Sequence, residues 1–229
     1  MSIFEKLIIN FKIKKFNFLE FFKIFPFYLK NINFLIFDSF FYFVYLFNNP
    51  YGISKKFLKN RDDSDIYQYG ETSISAIKKI VLKCNILKEN TFLELGSGRG
   101  RISFFLNYYT GCRITAIEWI YKFYKISVFL KKIFNLKNIE FLNIDMFDYD
   151  FKNFDYIFIY GTCLKDFEIL NLIEKFKRNK VTSKIITVSY PLKDYDENFK
   201  IIEKFEIDLN FGKTDCFINQ LRRKNETLP

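Results

Sequence analysis

Apolar positions recur along this chain with two different periods. Phe4, Leu7, Ile8 and Phe11 fall at i, i+3, i+4 and i+7, with Glu5, Lys6 and Asn10 off that face. This is the pattern of an amphipathic helix. A second apolar segment, Phe16 to Phe25, is expected to be interrupted by Pro26. A third, Phe34 to Phe47, carries Asp38 and Ser39 inside it and closes at Asn48-Asn49-Pro50. KNRDDSD (59–65) then reads as a polar linker.

Beyond the linker the period alternates between strand and helix. ETSISAIKKIVLK (71–83) reads as a helix capped by Thr72 or Ser73. Strands are expected at 91–95, 113–118, 139–144, 155–160 and 184–190, and helices at 99–109, 119–134 and 166–178. Residues 205–221 read as two strands joined near Gly212. Strands alternating with helices imply a doubly wound α/β fold, with a mostly parallel sheet and right-handed crossovers. The final hairpin brings an antiparallel strand. The expected division is a helical, basic, aromatic-rich extension over residues 1–60 and one catalytic-sized domain over residues 61–229.

Composition changes this picture in three places. There is no histidine among the 229 residues. That removes a Ser-His-Asp triad, a Cys-His pair and every histidine-containing zinc site. The four cysteines form no C-x-x-C pair, so no metal site is expected and a reducing cytosol is the simplest home. The first residues show no secretory pattern. Net charge is +10. Residues 1–60 hold nine lysines against Glu5, Glu20 and Asp38, a balance of +6, which points to an anionic surface as partner.

The chemistry concentrates in FLELGSGRGR (92–101). Gly96, Gly98 and Gly100 follow a strand and precede a helix, where glycines let the backbone turn and approach a nucleotide closely. Arg101 stands where a dinucleotide enzyme keeps its third glycine. Glu94, two residues before the first glycine, would repel a pyrophosphate but suits a cation such as the sulfonium and ammonium of S-adenosylmethionine. Glu118 lies 22 residues past Gly96 at the next strand's end, where a carboxylate can accept both ribose hydroxyls and would repel a 2′-phosphate. Trp119 is placed to lie against adenine. At the third strand's end, Asp145 is placed to accept from the adenine amine and Met146 to pack on the ring, with a plain turn aspartate as the other reading. Arg99 and Arg101 read as solvated residues of the helix's first turn.

These segments resemble the class I S-adenosylmethionine-dependent methyltransferases. The likeness runs from about Tyr67 to Leu221 and rests on ELGSGRG (94–100), AIEW (116–119), NIDMF (143–147) and YIFIYGT (156–162). It implies a Rossmann-like, seven-stranded sheet with the last strand antiparallel. YQYGETS (67–73) looks like the substrate-side motif before the first strand, and by that resemblance Tyr67, Tyr69 and Thr72 lie near the methionine end of the cofactor. The set is similar to an uncharacterised bacterial branch of the fold. More loosely, it is similar to small lysine methyltransferases that modify mitochondrial membrane proteins. DNA and protein-amide methyltransferases carry [DN]-P-P-[YF] after the fourth strand. Here that place reads Tyr160-Gly161-Thr162-Cys163, which disfavours base and glutamine methylation.

Methyl transfer from a sulfonium depends largely on alignment, so a chain without histidine can perform it. Tyr160 and Thr162 are the candidates for orienting the acceptor, and Tyr69 for narrowing the site. Asp166 reads either as a proton acceptor or as a helix N-cap. The expected acceptor is a protein amine, lysine first. A lipophilic small molecule is the alternative, with a non-catalytic interaction module as a third reading. Nucleic acid is disfavoured. The extension is expected to pack on the domain, lie on the inner face of a membrane, or span it. Spanning suits it least, because a bilayer needs about 20 apolar residues and Asp38 interrupts the run.

Overall fold

The computed structural model describes residues 3–60, 69–162 and 164–222; side chains are described from residue 11 onward. Three helices come first: α1 (Ile3–Lys30), α2 (Ile32–Leu46) and α3 (Pro50–Lys59). After α4 (Ile74–Cys84) come β1 (Thr91–Leu95), α5 (Arg101–Thr110), β2 (Arg113–Ile117), α6 (Tyr121–Ile133) and β3 (Ile139–Leu142). Then follow β4 (Tyr156–Ile159), α7 (Asp166–Arg178), β5 (Lys184–Val188), β6 (Phe199–Leu209) and β7 (Gly212–Leu221).

The seven strands lie in the order β3-β2-β1-β4-β5-β7-β6. The first five are parallel, and β7 runs antiparallel to both β5 and β6. Pairing Glu94 with Ala116 and Leu95 with Ile117 brings the C-terminal ends of β1 and β2 level. The chain order reverses between β1 and β4, so a crevice opens there at the carboxyl edge, where open α/β sheets bind ligands.

Alternate strand residues feed two separate cores. Leu93, Leu95, Ile157, Ile159 and Ile185 point to one face, against Ile169, Leu172 and Phe176 of α7. Phe92, Ile114, Ala116 and Phe158 point to the other, with α4, α5 and α6. The first two helices join this second core. Phe34, Phe37 and Phe41 of α2 are fully buried, and the Phe37 ring lies 4.6 Å from Phe104 of α5 and 5.0 Å from Phe134. Ile24 and Tyr28 of α1 are buried in the same cluster.

One expectation about the extension changes. Pro26 does not interrupt the helix; α1 runs through it. Proline removes one backbone bond, to the Phe22 carbonyl, at a cost of about 3 kcal/mol in a helix interior. Burial of Ile24 and Tyr28 on either side is of the size needed to offset it. Asn48-Asn49-Pro50, which closes the third apolar segment, leads into α3, with Asn49 accepting from the Tyr51 backbone N–H and Pro50 in the first turn, where its missing donor costs nothing. Among the described residues no helix is long and apolar enough to cross a membrane.

Local signals explain the other helix ends. Ser73, not Thr72, caps α4 by accepting from the Ala76 N–H. Asn85 closes that helix in the left-handed region at φ 54°. Asp166 is not a cap; it lies in the first turn of α7 and accepts from the Tyr195 hydroxyl. Strand β6 begins at Phe199, six residues before the expected start, because Phe199 is buried against Phe176.

Candidate active site

The loop from β1 into α5 holds Gly96, Gly98 and Gly100 at φ of 75°, 53° and 74°, the left-handed region. Gly100 also has no room for a side chain: a Cβ there would lie 2.8 Å from the Phe141 ring. Above Gly96 nothing lies within 4 Å of the corresponding position, so a ligand can approach its backbone directly.

The cleft over this loop is lined by Tyr69 to Thr72, Glu94 to Arg99, Glu118, Ile120, Met146, Tyr160 and Gly161. Ser54 and Leu58 of α3 also reach it, so the extension forms part of the wall. Two carboxylates sit at its base. The Glu118 oxygens accept from the backbone N–H groups of Gly98 at 2.6 Å and Ile120 at 2.7 Å, which fixes the carboxylate beside the loop. Asn143, unnoticed in the sequence, donates to the Glu118 and Trp119 carbonyls and sets the strand-end geometry. Glu94 is buried and accepts from the Ser103 hydroxyl. Burial pushes the Glu94 carboxyl up to about 8 and the Glu118 carboxyl up to about 7.

Both carboxyls therefore hold protons in the folded chain at pH values where the unfolded chain has lost them. The stabilisation this gives is complete below the ordinary carboxylate range and is lost as pH rises through the folded values. Thermal scans of the unliganded protein are expected to show stability falling between about pH 5 and pH 8 from these two groups. Glu94→Gln is expected to flatten part of that fall; an unchanged profile contradicts the burial effect at Glu94.

Arg99 and Arg101 are not solvated. Arg99 donates Nε and a terminal nitrogen to the two oxygens of Glu71. Its guanidinium lies 5.1 Å from the Phe41 ring centre and 4.9 Å from that of Tyr45, both on α2. Tyr69 donates to the same Glu71 carboxylate, so the Tyr69–Thr72 segment is pinned to the glycine loop. Arg101 donates to Asp38 at 3.1 and 2.9 Å and lies 4.8 Å from the Tyr42 ring. Asp38 also accepts from Tyr28 at 2.5 Å. A second cavity beneath α1 shares Glu71, Thr72, Arg99 and Arg101 with the first and has Phe16, Phe21 and Tyr28 in its walls.

Of the expected residues, Tyr69, Thr72, Glu94, Gly96, Gly98, Glu118, Met146 and Tyr160 line the cleft. Gly100 supports the loop from below. Trp119 and Asp145 stand outside the lining: the Trp119 ring meets Phe57 of α3 at 5.5 Å, and Asp145 accepts from the Phe147 N–H as a turn aspartate does. Thr162 is exposed and also off the lining. The Tyr160 ring presses on Gly70, where a Cβ would lie 2.9 Å from it. Tyr67 lies outside the described residues. The hydroxyls of Thr72 and Ser97 are buried in the cleft with no hydrogen-bond partner among the described residues. Ser97 carried no signal in the sequence beyond its place in the loop. Two such hydroxyls beside two carboxylates fit the polar amino-acid end of the methyl donor expected from the sequence.

The family described as "Histone methylation protein DOT1" matches residues 53–160. That span includes α3 from Ile53 onward, the Tyr69–Thr72 segment, the glycine loop and Tyr160. No curated protein sequence matches significantly. Among solved structures, an RNA methyltransferase from Salinibacter ruber in complex with S-adenosyl-L-homocysteine is 17% identical, with a TM-score of 0.56. The match covers 69% of this chain and 99% of that one. MtNAS in complex with S-adenosylmethionine is 12% identical over 66% of this chain, with a TM-score of 0.54, and the match spans 62% of its own length. TrmN from Thermus thermophilus is 13% identical over 63% of this chain, with a TM-score of 0.53, and the match spans 48% of its length. At these identities the likeness to solved structures is one of fold.

Proposed function

We propose that this chain is a class I S-adenosylmethionine-dependent methyltransferase that methylates a protein amine, the side chain of lysine. The observation that carries the acceptor is the match to a histone methylation family over residues 53–160, which hold most of the cleft lining. Chains with related folds include one named as an RNA methyltransferase, so RNA is the acceptor to be tested against. A small lipophilic acceptor is the second reading. It is favoured by the aromatic-walled cavity that adjoins the cleft across Glu71 and Arg99.

Bound S-adenosylmethionine supplies a methyl group already activated for displacement. In the proposed arrangement Thr72 and Ser97 bond its amino-acid end and Glu94 faces its positive charge. Glu118 accepts from the ribose hydroxyls while the Gly98 and Ile120 amides hold the carboxylate in place. Ile120 and Met146 flank the base, with Trp119 and Asp145 at the rim. Tyr160 and Tyr69 wall the reacting end, Tyr69 held by Glu71 and Tyr160 against Gly70. The pinned segment narrows the approach and excludes water, and alignment is the main source of rate in such a displacement. Thr162, on the exposed side of the same turn, is proposed to meet the acceptor outside the cleft. Peripheral membrane contact through residues 1–60 is a separate proposal.

Incubating the protein with tritiated S-adenosylmethionine and cell extract tests the acceptor. Label is expected in protein and, after hydrolysis, in methylated lysine. Label confined to RNA or to lipid overturns the protein acceptor.

A further inference from the structure

From residue 11 onward helix α1 has two apolar faces, of which one packs on the core and the other is exposed. Ile24 and Tyr28 turn into the core, while Phe11, Phe18, Phe22, Phe25 and Leu29 are exposed, Phe11 and Leu29 by 70% each. From residue 18 these exposed positions step by four and three residues in alternation. That spacing keeps them on one side of a helix. The step continues across the Asn31 junction into α2 with Ile32 and Ile36, and Phe43 and Leu46 prolong it. An exposed apolar stripe of this length marks a contact surface rather than scatter.

Charge says what covers it. Lys12, Lys14 and Lys15 stand exposed at the start of the stripe and Lys30 at the junction, with Lys56 and Lys59 exposed on α3. No acidic side chain between residues 11 and 60 is exposed. Glu20 is half-buried and accepts from the backbone and hydroxyl of Ser75, and Asp38 is buried against Arg101. A second copy laid on this face would set lysines against lysines, with no exposed carboxylate between residues 11 and 60 to meet them. A nucleic acid would meet phenylalanines over most of its length. An anionic lipid surface satisfies both parts: acyl chains take the aromatic stripe and headgroups take the lysines.

We propose that the outer face of α1 and α2 is a peripheral membrane-binding surface selective for anionic lipid, lying in the interface and not crossing it. The lengths agree, since no described helix is long and apolar enough to span. The inner face stays docked on the catalytic core, so the cleft is held at a fixed height beside the lipid. This inference stands apart from the identity of the methyl acceptor.

The test is co-sedimentation of the full chain with phosphatidylcholine vesicles, with and without phosphatidylglycerol. Partitioning is expected to rise by about tenfold or more when the anionic lipid is present, and to fall back with salt. The combined Phe18→Ser, Phe22→Ser and Phe25→Ser variant is expected to lose binding to both vesicles. The combined Lys12→Glu, Lys14→Glu and Lys15→Glu variant is expected to lose only the anionic preference. Both sets are exposed, so thermal unfolding serves as the folding control. Native protein that ignores vesicles, or partitions equally into both kinds, overturns the proposal whatever the variants do. So does a dimer, seen by light scattering without lipid, that the phenylalanine variant dissolves.

Discussion

Glu118→Ala is expected to weaken S-adenosylmethionine binding by roughly a hundredfold, about 3 kcal/mol, as two hydrogen bonds to a buried carboxylate are lost. The carboxylate does more than face the ligand. It anchors the amides of Gly98 and Ile120, so alanine also leaves two N–H groups without their acceptor. Thermal stability of the free protein should therefore fall alongside affinity. Glu118→Gln separates the two effects. Its carbonyl keeps one amide bond, but its NH₂ must face the other N–H, and it no longer accepts from both hydroxyls. Calorimetric titration of each variant reads the affinity, and thermal unfolding reads the scaffold. Native affinity in the alanine variant would remove Glu118 from the site.

The second large effect lies 63 residues away in the chain from its partner. Asp38→Ala is expected to destabilise the fold by about 3 kcal/mol, because it leaves the largely buried Arg101 guanidinium without its counter-charge. Arg101→Met is expected to cost a similar amount by stranding Asp38, which is 2% exposed and is left with the Tyr28 hydroxyl alone. Combining Asp38→Leu with Arg101→Met should recover much of either loss, since replacing a buried pair by apolar groups is often close to neutral. Arg101 opens α5 and lines the cleft, so the single variants should also bind cofactor less tightly. Denaturant unfolding of the three proteins measures the coupling. Additive losses would show that α2 and the glycine loop are not joined through this pair.

The sheet could be read from the chain because each strand repeats a local pattern, and the positions of β1, β2 and β5 follow directly from apolar runs bounded by turns. Glu118 was legible for the same reason, as a charge at a strand's end at a fixed distance from a glycine loop. The ion pairs were not. Asp38 inside an apolar run looks like a cost when read alone, and Arg99 and Arg101 look like surface residues of a helix's first turn. Their partners lie 63 residues away for Arg101 and 28 for Arg99, and no period connects them. The same limit hid the role of α3, whose Ser54 and Leu58 reach the cleft only after the chain has folded back. Thr162 and Trp119 depart from expectation in the opposite way. They follow the cleft-forming strand ends in the chain but stand off the lining, because side-chain direction there is set by the following turn, which the sequence leaves open.

The central claim is that the cleft above Gly96 holds the methyl donor through Glu118, Glu94, Thr72 and Ser97. Its most direct test is calorimetric titration of the native chain with S-adenosylmethionine and with S-adenosylhomocysteine. The account predicts saturable binding of one molecule of each, abolished or strongly weakened in the Glu118 variant. No heat and no thermal shift with either ligand would contradict it.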